Sequence, residues 1–205
     1  MPEAASKNFV DGREISGARL VSLLNRADEM KAGRPEVAGS SLTGKSIALI
    51  FEKPSTRTRI SFEVGIAELG GHGVILRSDE LQLSRGESIE DTARVMSRFV
   101  YGIVIRSGSD QHVSKLAEHA SVPVVNALTP LYHPCQALAD LLTLKERFGG
   151  LDGLKVAYVG DGNNVARSLA IAGSLTGVEV VVAAPEGYQL ESDAPARLTD
   201  DPIEA

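Results

Sequence analysis

Tryptophan is absent from this 205-residue chain, cysteine occurs once, and aromatic residues make up only 4% of it. With Cys135 as the one thiol, neither an internal disulfide framework nor an all-cysteine metal site can be built, and a reducing compartment fits. Basic residues are also in deficit. The 21 Lys and Arg stand against 27 Asp and Glu, a net charge of -6, which argues against a chain whose main business is coating nucleic acid or an anionic membrane. No apolar run approaches the roughly 18 residues needed to span a bilayer. Met1 to Gly17 mixes Glu3, Asp11 and Glu14 with Lys7 and Arg13 and has no apolar core, so neither a secretory signal nor a good transit peptide is read there. The expected compartment is the cytoplasm. What is present is ordinary: 43% hydrophobic and 23% charged residues, with 20 Gly and 9 Pro spread along the chain, exclude collagen-like and low-complexity classes. One medium soluble domain or two small ones is the expectation.

Apolar Leu20, Leu23, Leu24, Ala27 and Met30 recur at helical spacing and predict a helix over 16–32, ending near Gly33 and Pro35. The short continuous apolar run at 46–51 reads as a buried parallel strand. A polar loop at 52–59 then leads into Ile60, Val64 and Ala67, again at helical spacing, with a stop at Gly70-Gly71. The alternation continues, with strands at 74–76, 102–105 and 123–126 and helices at 88–99, 111–119 and 134–148, the first of these opening on Ser88-Ile89-Glu90-Asp91, which resembles a capping box. Beyond the glycine-rich boundary at 148–153 come a strand at 155–159, a turn Gly160-Asp161-Gly162-Asn163-Asn164, a helix at 165–176 and a strand at 178–183. From Pro185 the chain is acidic and predicts one weak helical segment at most. Alternating strands and helices make the fold class α/β with mainly parallel sheets.

Three loops carry chemistry. Ser55-Thr56-Arg57-Thr58-Arg59 lies where a strand hands over to a helix N-terminus, where unpaired N–H groups and the helix dipole favour an anion, and the hydroxyls add donors. Arginines in a first helical turn oppose the dipole at a cost of a few tenths to about 1 kcal/mol each, and an anionic ligand removes that conflict. The alternative has Ser55 or Thr56 merely capping the helix, with the arginines paired to Glu52 and Glu63. Arg106 ends a strand on the sheet edge where open α/β folds bind ligands, although a lone arginine there is commonly a solvated loop charge. In His133-Pro134-Cys135-Gln136, His133 precedes a helix and Gln136 sits in its first turn, placing a group able to polarise a carbonyl beside one able to meet an amide. The alternative for His133 is a helix cap or satisfied loop histidine, and Cys135 reads as a small packing residue rather than a nucleophile.

The strings FEKPSTRTRISFEVGIAELGG, LQLSRGESIEDTARVMSR, HPCQALADLLTLKE and VGDGNNVARSLA resemble the aspartate/ornithine carbamoyltransferase family, and the likeness runs from about Asn8 to Tyr188. HPCQ, Leu81-Gln82-Leu83 and GDGNN favour its ornithine branch, since aspartate enzymes typically carry a lysine in the loop that Gln82 occupies. The resemblance implies two parallel-sheet α/β domains: 1–148, binding carbamoyl phosphate and including a linking helix 134–148, and 149–205, a partial ornithine-binding Rossmann-like domain. It implies that Ser55, Thr56, Arg57 and Thr58 cradle the phosphate, with Arg57 assisting its departure. Arg106 would bridge phosphate and carbamoyl oxygen, His133 and Gln136 would meet the carbamoyl carbonyl and amino ends, Gln82 would reach a neighbouring subunit's site in a homotrimer, and Asn164 would hold the α-amino/carboxylate end of L-ornithine. No cofactor, metal or covalent nucleophile is required, because amine attack builds negative charge that fixed Arg, His and backbone donors stabilise. Gly160-Asp161-Gly162 also suggests a dinucleotide turn, but Val165 stands where the third glycine belongs and no acidic residue ends the next strand.

The sequence departs from the family at Pro130, where an acidic residue is usual, and Pro fixes φ and removes a donor. It also lacks the family's later aspartate, Ser-Met-Gly and His-Cys-Leu-Pro segments and C-terminal helix, so a chain shortened after Tyr188 is expected. A carbamoyl-phosphate-binding homologue without catalysis, or a transferase with a different amino acceptor, stays open on these residues.

Overall fold

The apolar run Ile47-Ala48-Leu49-Ile50-Phe51 becomes an inner strand of a sheet, and its two-residue period decides the layering. In a computed structural model describing residues 6–34, 39–77, 79–81 and 86–205, the elements follow in the order α1 (Gly17–Ala32), β1 (Ser46–Phe51), α2 (Thr56–Glu68), β2 (His72–Arg77), α3 (Ile89–Met96), β3 (Gly102–Arg106), α4 (Asp110–His119) and β4 (Val124–Leu128). Then come α5 (Pro134–Phe148), β5 (Lys155–Val159), α6 (Asn164–Thr176), β6 (Glu179–Ala183) and β7 (Arg197–Thr199). The expected α/β class with parallel sheets is what forms, and packing divides the chain into two units at 10/11, 28/29 and 129/130.

In the first unit the strands are all parallel in the order β2-β1-β3-β4. Ile47, Leu49 and Phe51 pack with Val104 and Ala127 against Ile66 of α2, while Ala48 and Ile50 face the opposite way with Ile103, Ile105 and Val124 onto Ala93, Val113 and Leu116 of α3 and α4. The free edge of β4 is closed by the chain start: Phe9 N donates to Val124 O at 2.8 Å and Asn126 N to Phe9 O at 2.8 Å. Ser88 caps α3 by accepting from Asp91 N, as the capping-box spacing predicts. The helix ends at Met96 rather than 99, because the next turn tightens to Arg98 N–Val95 O and Phe99 N–Met96 O bonds. Strand order reverses between β1 and β3. Such a switch point opens a crevice at the carboxyl ends of the two strands.

The second unit has a parallel sheet in the order β5-β6-β7. Leu20 and Leu24 of α1, Ala137 and Leu141 of α5, and Leu169 of α6 pack with Val180 and Val182 in one core. The division by packing therefore differs from the 148/149 boundary read from the sequence, because α1 and the long helix α5 lend their apolar faces to this core. Leu23, counted in the apolar stripe of α1, is exposed instead. The acidic stretch after Pro185 is also more ordered than expected. It holds β7, three residues paired in parallel with β6, whereas the sequence reading allowed no further strand. So short a strand among Asp and Pro residues leaves no readable alternation.

The crossover from β6 to β7 contains no helix. Arg167 of α6 holds it instead: this buried guanidinium donates to Asp193 at 2.8 and 3.0 Å and to Glu191 at 2.8 Å. Burial works against the Arg167 charge, but the hydrogen bonds and charges of Asp193 and Glu191 outweigh it and raise its pKa. Among the described residues, no helix is long and apolar enough to cross a membrane.

Candidate active site

The loop after β1 and the end of β3 meet at the switch point of the first unit. Ser55 is the N-cap of α2: its Oγ accepts from Thr58 N at 3.4 Å and donates to Thr58 Oγ1 at 2.9 Å. Half of the bland alternative is therefore correct, since Ser55 does cap the helix. The other half fails for Arg57. Arg59 pairs with Glu63 at 3.5 Å, but neither Arg57 nor Arg106 forms an ion pair among the described residues. The first helical bond is Arg59 N to Ser55 O, so the Thr56 and Arg57 N–H groups at the positive end of α2 have no place in the helical ladder.

Arg106 reaches the same loop. Its Nη1 donates to Thr58 Oγ1 at 3.3 Å, so that hydroxyl accepts from both Ser55 and Arg106 and keeps its own proton to donate. The Arg106 Nε is buried without a hydrogen-bond partner among the described residues, and burial lowers the guanidinium from its ordinary pKa. A β-bulge sets this position: Ile105 pairs with Asn126 but Arg106 with Leu128, so Ala127 is an extra residue in β4. A desolvated cation, an uncompensated second one, free helical N–H groups and a hydroxyl proton form a place for a small oxyanion. Beside it lies a cavity of about 670 Å³ whose walls include Ser55, Thr56, Arg59, Ile60, Arg77 and Asp79.

The structure thus brings Ser55, Thr56, Arg57, Thr58 and Arg106 together in the first unit. His133, Gln136 and Asn164 belong to the second. His133 takes the N-cap position of α5 but makes no side-chain capping bond, and its backbone N–H donates to Ser168 Oγ at 2.7 Å. Exposed Gln136 donates to Asp140 at 2.9 Å. Asn164 is the first residue of α6 and half-buried, with Asn163 as the cap accepting from Val165 N and Ala166 N. Gln82 lies outside the described residues.

A family model for the aspartate/ornithine carbamoyltransferase carbamoyl-P binding domain matches residues 7–146, and one for the Asp/Orn binding domain of the same family matches 152–201. The chain belongs to the aspartate/ornithine carbamoyltransferase family. Its curated relatives include ornithine carbamoyltransferases of Acidothermus cellulolyticus, 52% identical over 195 residues (95% of this chain, 62% of the relative), and Bacillus subtilis, 46% identical over 212 (97% and 66%). Ornithine carbamoyltransferase structures from Thermus thermophilus (TM-score 0.90, 47% identity) and Pyrococcus furiosus (0.87, 43%) match 97% and 95% of this chain and 70% and 66% of theirs. Against the first three curated relatives the chain spans 62%, 59% and 63% of their length.

For a chain of this carbamoyltransferase family, the glycine turn has its own explanation. Gly162 N donates to Tyr188 O at 2.7 Å, and a Cβ at Gly162 would lie 2.4 Å from Leu190 N and 2.6 Å from Gln189 C. The close approach that needs glycine is to residues 188–190 of the same chain. Sequence reasoning offered Glu52 only as an ion-pair partner for the arginines, and the structure gives its carboxylate other partners. Glu52 Oε2 accepts from Ser107 Oγ at 2.5 Å and Gly108 N at 3.2 Å, and Oε1 lies 3.0 Å from His112 Nδ1. These partners lie 55, 56 and 60 residues away, and only the β1–β3 pairing reveals them.

Proposed function

We propose that this chain carries the carbamoyl-phosphate site of an ornithine carbamoyltransferase, which moves the carbamoyl group from carbamoyl phosphate to the δ-amino group of L-ornithine and yields L-citrulline and phosphate. The observation that carries the reading is the pair Arg57 and Arg106 at the switch point, neither in an ion pair among the described residues and both beside the Ser55-capped helix start. Phosphate takes the Thr56 and Arg57 N–H groups and the Thr56 and Thr58 hydroxyls, and Ser55 adds its own once it turns its proton from Thr58 Oγ1 to the ligand. Arg57 stabilises it as it leaves. Arg106 donates to phosphate and to the carbonyl oxygen, on which negative charge grows as the amine attacks. The family likeness assigns His133 and Gln136 to the carbamoyl group, Asn164 to the amino-acid end of ornithine and Gln82 to a neighbouring subunit of a homotrimer. It also supports a functional division at 148/149 and a place in the formation or breakdown of arginine. The single cysteine, Cys135, suits the reducing cytoplasm.

Calorimetry with carbamoyl phosphate, followed by a citrulline assay with added ornithine, tests this on the 205-residue chain. Binding is expected, weakened about ten- to a hundredfold by Arg106→Gln or Arg57→Gln, because each removes a charged hydrogen bond. Binding that ignores both substitutions would overturn the site. In a protein that carries the full length of the curated relatives, binding without citrulline would leave a carbamoyl-phosphate-binding protein and remove the transferase reading.

A further inference from the structure

Among the described residues Arg106 has little to hold its side chain: one hydrogen bond to a neutral hydroxyl, at 3.3 Å, and a buried Nε with no partner. Its direction is therefore inherited from its backbone, and that backbone is gripped from one side. Glu52 N donates to Arg106 O at 3.0 Å, while the Glu52 carboxylate collects Ser107 Oγ, Gly108 N and His112 Nδ1, so a single residue binds three consecutive residues from Arg106 onward and the first turn of α4. From the other side Ser107 N donates to Leu128 O at 2.9 Å, just past the bulge, and Ser109 N returns to Ser107 Oγ at 3.0 Å. The Glu52 side chain is only 15% exposed. A mostly buried carboxylate is stable only when donors surround it, and here, among the described residues, they come from the turn that follows Arg106 and the start of α4 rather than from the arginine's guanidinium.

We infer that Glu52 is a positioning residue for Arg106: it fixes the turn 106–109 so that the guanidinium faces the anion cradle already oriented, while spending its own charge on Ser107, Gly108 and His112 instead of on the arginine. A carboxylate aimed at Arg106 would compete with the ligand's oxygens for the same N–H groups. One aimed at the turn avoids that and lowers the ordering cost of binding. This rests on the reading that Arg106 grips carbamoyl phosphate.

The contacts themselves prescribe the conservative variant. Both turn donors, Ser107 Oγ and Gly108 N, use one oxygen of Glu52. A glutamine keeps that oxygen as acceptor for both turn donors, and its N–H meets His112 Nδ1 once the imidazole moves its proton to Nε2, so Glu52→Gln keeps the grip on the turn while removing the charge. Calorimetry with inorganic phosphate and with carbamoyl phosphate on the full chain should find Glu52→Ala weaker by about tenfold or more, Glu52→Gln within about threefold of the parent, and Ser107→Ala between the two. In a double-mutant cycle, Glu52→Ala should add nothing to Arg106→Gln, because a clamp has no further effect once the group it holds is gone.

Wild-type affinity in a Glu52→Ala protein with a lowered melting temperature would show a merely structural role and overturn the inference. So would a Glu52→Gln loss as large as that of alanine. Should Glu52→Ala fail to fold, Glu52→Gln and Ser107→Ala decide alone: parent-like affinity in both overturns the clamp. If Arg106→Gln leaves affinity unchanged, the reading of the site fails instead.

Discussion

In the proposed site, Arg57 and Arg106 matter for what they lack. A guanidinium already paired with a carboxylate offers a phosphate little, whereas here the nearby acids are engaged elsewhere, Glu63 with Arg59 and Glu52 with the turn after β3. The arginines and hydroxyls were legible in the sequence because strand ends and helix starts are where local pattern is strongest. The contacts of Glu52 with Ser107 and His112 were not, since no local rule links residues that meet only across two paired strands. Cys135 makes the opposite point. It stands in the conspicuous HPCQ string, yet burial pushes its thiol up to about 12, so at pH 8 the thiolate is on the order of one part in ten thousand. A disulfide reagent at pH 8 should label the folded chain at least about a hundredfold more slowly than the chain in denaturant. Equal rates would mean that the thiol is open to solvent.

Helix and strand centres were read closely, and their ends less so. Periodicity located α1, β1, α5 and β5 almost to the residue, because each has a run of apolar positions bounded by polar or glycine signals. It missed β7, whose place depends on pairing with β6. The link between α3 and α4 was equally invisible: Lys115 Nζ lies 2.8 Å from Glu90 Oε1, and its hydrogen bond holds the Glu90 carboxyl at about 2, below the usual 4.5. The unfolded chain therefore takes up this proton at higher pH than the folded chain does. The pair's contribution is complete above about pH 4.5 and fades as pH falls toward about 2. Acid titrations of unfolding should find the parent losing more stability across that window than Glu90→Gln. Identical slopes would show the pair contributing nothing.

The chain passes between its two packed units at 10/11, 28/29 and 129/130, so sequence order and core membership do not coincide. The glycine-rich stretch at 148–153 lies at the junction of the two family-model matches, yet the packed units divide elsewhere, because composition marks where a chain turns, not which apolar face a distant helix shares. Leu20, 1% exposed, belongs to the core of β5 and β6. Leu20→Ala should cost about 2–5 kcal/mol and speed hydrogen exchange in β5 and β6 while leaving β1 and β3 protected. Equal acceleration in both sheets would show that the units open as one. The same membership has a consequence in time. Leu20 and Leu24 are synthesised long before Leu169, Val180 and Val182 exist to cover them. At about 5–20 residues per second, α1 leaves the ribosome with an uncovered apolar stripe for on the order of ten seconds, an interval in which chaperones, rather than the fold, must keep it from its neighbours.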